Sequence, residues 1–514
     1  MSAPLSRRFL ANLAGSWGAM ALRLPVALVL TPFLLSRLGD ERFGAFGVLL
    51  SLLAYLNLAG GPLHSSVTRE ITHAGDDAER RSRMFMNATL ASVLVTVVTA
   101  VIGFPLAGPL VDSLRVPASF RADAIASYYA LVGTVLASLL ATPFIGLLMS
   151  GNRYDLVDLV PALGQVVYAI LAVAAFSWGG ASLRLLGLAH LAAHLLAMFT
   201  LVLLSRRYLG GVRLRLQRPD WREFRAFLGF STQLLIINVS VLLTYQTDNL
   251  VISRLIGVGA VARYTVAASL IFRFRQLCYG LSRTFLPATA DPATTPERRR
   301  ELHFRGTRYN TLLIVGLGGV AAALAEPFYR LWLGEAYQQS AGIFVLLMAA
   351  NMFAMSQYVT NAVLTGLRHT RPLMVSEVIG AVANLMLSIM LVKAGLGLTG
   401  VALGTLVPMV LRNLWLASHG ASVVGATVGR YVRRIYLPAL VVLAITVAAL
   451  RALVGIGWAG NWIGLAAAAA VGFVVYGLLA MRLGLDAADR ERVRELARGL
   501  VHGLQSRMKP HAAK

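Results

Sequence analysis

Cysteine occurs once in the 514 residues, at Cys278, so neither an intramolecular disulfide nor a cysteine-based metal cluster can form. Charge is also scarce, at 14% of residues against about 25% in an average soluble domain. Lysine stands only at 393, 509 and 514, which leaves arginine to supply nearly all of the 47 cations that outnumber 23 acids. No phosphate-binding glycine loop, nucleotide fingerprint, serine-nucleophile turn or catalytic carboxylate pair is present. A soluble protein this long needs several cores under a charged skin, and that skin is missing. What is plentiful is apolar: 57% of the residues, with mean hydropathy +0.69. The composition therefore implies an all-α polytopic membrane protein without a cofactor.

Apolar runs predict 14 spans, at 10–36, 43–65, 84–105, 123–148, 156–177, 183–204, 228–252, 260–284, 308–330, 340–364, 373–392, 398–417, 435–453 and 461–481. The first run continues past Pro32 without a small-residue cleavage site and reads as a span rather than a signal peptide. A pI near 11.1 does not point to nucleic acid, because the arginines sit in short loops rather than on one soluble patch. Of the 47 cations, 32 fall on the side of the termini, 10 on the other side and 5 within spans. That bias puts both termini in the cytoplasm. In the tail, Val493, Leu496, Leu500 and Leu504 recur at helical spacing among Arg490, Arg494, Arg498 and Arg507, as in a helix lying on an anionic leaflet.

An internal repeat organises the chain. SRLGDERFGAFGVLLSL after span 1 aligns with SRLIGVGAVARYTVAASL after span 7, without gaps from Gly39 and Gly257 onward, pairing Phe46 with Tyr264 and Ser51 with Ser269. SGNR at 150–153 matches TGLR at 365–368, and WGGASLRLLGLAHL matches KAGLGLTGVALGTL, both at an offset of 215. Two six-span halves in the same orientation follow. They divide the chain into an N-lobe at 1–205, a linker at 206–227, a C-lobe at 228–417, spans 13 and 14 within 418–482, and a basic tail at 483–514.

SRLGDERFGAFGVLLSLLAYLNLAGGPLHSSVTREI resembles the opening of bacterial polysaccharide-precursor flippases of the O-antigen type. TDNLVISRLIGVGAVARYTVAASL is similar to their spans 7 and 8, and LTGLRHTRPLMVSEVIGAVANLMLSIMLVKAGLGLTGVALGTLV to their spans 10–12. The resemblance covers most of 10–420. It implies the multidrug/oligosaccharidyl-lipid/polysaccharide exporter superfold: two six-helix lobes around a central cavity, plus two C-terminal helices. Alternating access of that cavity would carry an undecaprenyl-pyrophosphate-linked oligosaccharide across the membrane. Implied partners are the lipid-linked oligosaccharide, membrane lipids, a polysaccharide polymerase and glycosyltransferases. Rival readings are a cation-coupled multidrug exporter of the same superfold and a membrane sugar polymerase or ligase.

Charges within spans are costly and so are functional candidates. The cations are Arg23, Arg273, Arg275, Arg283 and Arg412, and the acids are Asp248 and Glu377, an excess that favours an anionic guest such as pyrophosphate. Neutralising an acid, capping carbonyls and snorkelling are the structural alternatives, foremost for Arg283 and Arg412 near span ends. Arg275 lies about 200° around its helix from Arg273, so the two cannot share a cavity. Lipid II flippases, a sister family, resemble the chain around span 1, and Arg23 falls where they carry a cavity arginine. Their acidic–basic pair in span 8 falls on Ala267 and Ala268, which argues against lipid II as cargo. With no other acid in spans 1–6 away from their ends, Asp248 is the expected partner of Arg23 in an empty cavity.

Gln233, Ser240, Thr244 and Asp248 share one face of span 7, and Asn351, Tyr358, Asn361 and Thr365 form a polar run in span 10. Either a hydrated cavity or a neighbouring helix can satisfy such a face. Tyr128, Tyr129, Tyr168 and Tyr245 could stack on sugars or simply pack. His190 and His194 stand at i and i+4 in span 6 with no acid or cysteine beside them, and packing is the expected role.

Overall fold

Inside lipid, an apolar run satisfies its backbone by coiling on itself. Among the described residues the computed structural model is accordingly 91% helical and has no strand. Those residues are 7–75, 77–208, 221–282, 295–367, 369–425, 427–486 and 489–491. Arg283, the centre of the 206–227 linker and Val493, Leu496, Leu500 and Leu504 of the tail lie outside them.

The helices run in order as α1 (Arg7–Leu56), α2 (Gly60–Ala74), α3 (Ala78–Gly103), α4 (Ala107–Ser113), α5 (Arg121–Ser150), α6 (Tyr154–Gly179), α7 (Leu183–Ser205), α8 (Trp221–Leu255) and α9 (Val258–Ser282). There follow α10 (Pro296–Ala323), α11 (Ala325–Leu333), α12 (Gln338–Ser356), α13 (Tyr358–Gly366), α14 (Thr370–Leu391), α15 (Gly397–Val423), α16 (Val428–Tyr431), α17 (Leu437–Gly455) and α18 (Trp462–Leu479). Spans 4, 5 and 6 coincide with α5, α6 and α7 to within two residues.

Three expected spans are not single helices. Span 2 breaks at Asn57–Ala59, between α1 and α2. Span 9 bends by 55° at Leu324, where α10 gives way to α11. Span 10 breaks at Gln357, the residue separating α12 from α13. Apolar content continues through each break, so hydropathy alone does not register them. Among the described residues, nine stretches are long and apolar enough to cross a membrane, or ten with the bent pair. Two of these, Ala14–Ala74 and Arg371–Val423, have 61 and 53 residues. At 1.5 Å per residue each far exceeds a core about 30 Å thick.

The first repeat has a local structural counterpart. Gly39, where α1 kinks, has φ 73°, and Gly257, which joins α8 to α9, has φ 136°. Both values lie in the left-handed range that favours glycine, at aligned positions of the two halves.

The chain divides into two compact units, Met1–Gly280 with Met374–Arg412, and Leu281–Leu373 with Asn413–Lys514. The first thus takes in α1–α9 and most of α14 and α15. Its helices pack closely through glycine: a Cβ at Gly44 of α1 would stand 2.1 Å from the Val258 carbonyl oxygen of α9. The second unit is knotted by buried polar groups. His303 is fully buried, bonds Thr360 at 3.1 Å and stacks on Tyr431, while Gln357 at the helix break reaches Tyr436. Near the end of the chain, Arg308 pairs with Asp486 at 2.9 Å and with the buried Asp489 at 3.3 Å.

Candidate arginine-lined cavity

Within the first unit, α1, α6, α7 and α9 line an open-sided cavity of about 320 Å³. This is the lower end of the usual size of a small-molecule site. One wall is the apolar face of α1, with Val26, Leu30, Phe46 and Leu50. Pro161, Gly164, Gln165 and Tyr168 of α6 face His190, Ala193, His194 and Ala197 of α7. Small residues at 164, 193 and 197 leave the space, and Arg273 of α9 supplies the single charge on the wall.

Arg273 donates to the backbone oxygen of Arg23 at 3.3 Å, and the two guanidinium groups are close enough to repel. Arg23 in turn donates to the backbone oxygen of Asp158 on α6 at 2.9 Å. The Asp158 carboxylate is engaged by Ser16, two turns before Arg23 on α1. Both Arg23 Nε and Arg273 Nε are buried without a hydrogen-bond partner. Among the described residues no carboxylate forms an ion pair with either arginine. The Asp158 carboxylate lies within electrostatic reach of Arg23 and offsets part of its charge, whereas Arg273, with Arg23 as its charged neighbour, keeps a positive potential at the wall that an anion would relieve.

The polar end of the cavity is aromatic. The rings of His190 and His194 are parallel, 5° apart with centroids at 6.3 Å, and Tyr168 meets His190 edge-on at 5.2 Å. His194 Nε2 shares a 2.6 Å hydrogen bond with Ser138. The histidines therefore form part of the cavity wall rather than serving as packing alone. The signal available in sequence was their i, i+4 spacing opposite Gln165 and Tyr168, themselves at i, i+3 on α6.

Other candidates are placed elsewhere. Asp248 does not pair with Arg23; its carboxylate accepts from Tyr264 of α9, and from Thr405 of α15 at 3.1 Å. The expected Arg23–Asp248 ion pair is corrected on this point: buried hydroxyls on the two adjacent helices take up the acid first. Asn384 of α14 extends the seam by bonding Thr405 at 2.9 Å, and its Oδ1 stays unpartnered. These oxygens suit a hard cation, whereas no group of three His, Cys, Asp or Glu residues suited to a metal occurs among the described residues.

Ser240 and Thr244 are buried, and Thr244 donates to the Ser240 carbonyl of its own helix. Only the backbone of Gln233 is described. Arg275 stands over the Tyr245 ring at 3.7 Å, on the face of α9 away from Arg273, as the helical angle requires. Tyr128 is buried and bonds the Gly103 carbonyl, a packing role. Asn351 and Tyr358 belong to the second unit, where buried Asn351 donates to Leu347 O at 2.8 Å.

A family model described as "Polysaccharide biosynthesis protein" matches residues 16–284, a stretch containing every wall of the cavity. The "Uncharacterized membrane protein EpsK" of Bacillus subtilis (strain 168) is 23% identical over 425 residues, covering 79% of this chain and 81% of that protein. The "Putative O-antigen transporter" of Shigella flexneri is 21% identical over 370 residues, covering 69% of this chain and 86% of that protein. Among solved structures, the lipid II flippase MurJ in an inward closed conformation superposes with TM-score 0.70 at 14% identity. That likeness covers 90% of this chain and 97% of MurJ, and it concerns the fold.

Proposed function

The chain belongs to the polysaccharide biosynthesis protein family, and from that premise we propose that it moves an undecaprenyl-pyrophosphate-linked oligosaccharide from the cytoplasmic to the periplasmic leaflet of the inner membrane. At the coarser level it is a multi-pass flippase-type transporter and not an enzyme. One observation carries the finer reading. Arg273 lines the cavity and bonds the backbone of Arg23 beside it, neither arginine has a carboxylate in ion-pair contact, and their Nε atoms are unpartnered. A pyrophosphate supplies the missing anion and accepts the planar guanidinium fork bidentately. Tyr168, Gln165 and the histidine pair then offer a ring face and amide groups to the first sugar.

An exporter of organic cations needs the opposite sign at this wall. The acid nearest Arg23 in this environment, Asp158, is bonded to Ser16 and is not among the cavity-lining residues. The cargo is made by glycosyltransferases and consumed by a polymerase, so those enzymes are the proposed protein partners. With no nucleotide motif, an ion gradient, the membrane potential or the cargo gradient drives the cycle. Both termini stay cytoplasmic in this reading.

Deleting the gene tests the reading in cells. The expected result is loss of surface polysaccharide, with lipid-linked precursor accumulating and its sugars open to a glycosidase only from the cytoplasmic side. Precursor accumulating with its sugars exposed to the periplasm contradicts the proposed step.

A further inference from the structure

Within the first unit, α1 meets the start of α6 along one face. Asn12, Ser16, Ala19 and Arg23 follow at steps of four, three and four, so they share one side of α1. Asn12 donates to the Asn152 backbone oxygen at 3.1 Å and accepts from the Asp155 amide at 3.1 Å. Ala19 is buried, and a Cβ at Gly15 would stand 2.6 Å from Asp155 Cα, so the two backbones are in contact. Asp158 then meets α1 twice. Its carboxylate accepts from the Ser16 hydroxyl, and its backbone oxygen accepts from Arg23 Nη2 at 2.9 Å.

This division is chemically unusual. An aspartate beside an arginine ordinarily joins it through the carboxylate, in a short and often bidentate pair. Asp155, three residues earlier, does so with Arg153 at 2.9 Å. Asp158 touches Arg23 through its backbone and turns its carboxylate to a serine instead. Among the described residues it forms no ion pair, although the carboxylate lies within electrostatic reach of Arg23. One methylene separates that carboxylate from a backbone already in contact with the guanidinium, so a change of rotamer is enough to bring the two charges together. Arg23 Nε is buried without a partner, which leaves a donor for the carboxylate to take.

We propose that the Ser16–Asp158 bond is a latch that sets the charge at Arg23. While Ser16 holds the carboxylate, the guanidinium keeps its positive charge for a phosphate at the Arg23–Arg273 end of the cavity. Once the latch is lost, Asp158 occupies the same guanidinium and inhibits the site from within the chain. Ser16 is thus a positioning residue, acting on the anion through Asp158 and Arg23. The inference rests on the phosphate reading of the cavity for its effect on cargo, but not for the latch itself.

The test uses the full-length protein in detergent, with inorganic pyrophosphate as probe and its shift of the thermal midpoint as the measure of binding. Ser16→Ala is expected to weaken pyrophosphate about ten-fold, the equivalent of one charge-assisted hydrogen bond. Ser16→Thr keeps the hydroxyl and is expected to bind as the wild type does. Adding Asp158→Asn to Ser16→Ala is expected to restore the affinity, because no carboxylate remains to take the guanidinium. A contact that merely packs α1 against α6 predicts the reverse: Ser16→Ala lowers the midpoint of the free protein, pyrophosphate affinity stays put, and Asp158→Asn adds to the damage. That pattern overturns the proposal. A second readout is independent of cargo: modification of Arg23 by phenylglyoxal, followed on its peptide by mass spectrometry. It is expected to slow in Ser16→Ala and to recover in the double variant. If pyrophosphate fails to bind even the wild type, the cavity reading falls alone, and slowed modification of Arg23 still upholds the latch. Unchanged modification overturns it.

Discussion

Arg273→Ala is expected to abolish export of the surface polymer while the protein remains in the membrane at its normal level. Arg273 bonds only the Arg23 backbone oxygen and repels the Arg23 guanidinium, so truncating it orphans no buried acid and relieves a like-charge contact. Stability is therefore held or slightly raised. Transport is not, because each charge-assisted hydrogen bond to phosphate is worth about 1.5–3 kcal/mol, roughly ten- to hundred-fold in affinity. Arg273→Lys keeps the charge but loses the fork and is expected to restore export only in part. Arg23→Ala is expected to share the defect in part: it removes the other guanidinium and leaves the backbone carbonyl that orients Arg273. Immunoblots of membranes alongside polymer staining separate the two effects. Normal export by Arg273→Ala makes this arginine structural.

Arg308→Ala is expected to fail differently, by loss of the folded protein. Asp489 is 1% exposed, and Arg308 holds it at 3.3 Å together with Asp486 at 2.9 Å. Without Arg308, Asp489 keeps only Arg305 at 3.6 Å and the hydroxyl of Tyr309, and no longer has a close cation. Removing one partner of a buried pair costs about 3–5 kcal/mol, a large share of the stability of an ordinary domain. The thermal midpoint in detergent should fall steeply, and steady-state levels with it. Replacing both partners by apolar residues, as in Arg308→Met with Asp489→Leu, should recover most of the loss, because no uncompensated charge then remains. The exposed Arg298–Glu301 pair gives the contrast: Arg298→Ala should change stability by less than about 1 kcal/mol. If Arg308→Ala is as mild as Arg298→Ala, the buried cluster does not anchor the end of the chain.

Much of this is legible in the amino-acid sequence. Long apolar runs gave α5, α6 and α7 nearly residue for residue, because hydropathy and helix length are governed by the same bilayer. The 200° between Arg273 and Arg275 already separated their roles, since a helix places side chains by angle alone. Breaks at Asn57–Ala59, Leu324 and Gln357 were not legible: each depends on how two helical pieces pack, and the apolar pattern runs on through them. The partner of Asp248 was missed for a related reason. Tyr264 and Thr405 lie 16 and 157 positions away, and only the meeting of α8, α9 and α15 brings them to one carboxylate. Asp158 stands near the start of span 5, yet it contacts Arg23 through its backbone oxygen, which no sequence pattern encodes. His190 and His194 showed their spacing in sequence, but that a cavity lies beside them follows from the small residues at 164, 193 and 197 across two helices.

The most direct measurement is translocation by the purified protein in liposomes. The cargo is a fluorescent oligosaccharide on a polyprenyl pyrophosphate, with movement read as loss of protection from an external quencher. The wild-type protein should move this lipid, Arg273→Ala should not, and an organic cation offered in its place should neither be carried nor compete. Transport of the organic cation with no movement of the sugar lipid, or full transport by Arg273→Ala, would contradict an arginine-held phosphate as the basis of cargo recognition.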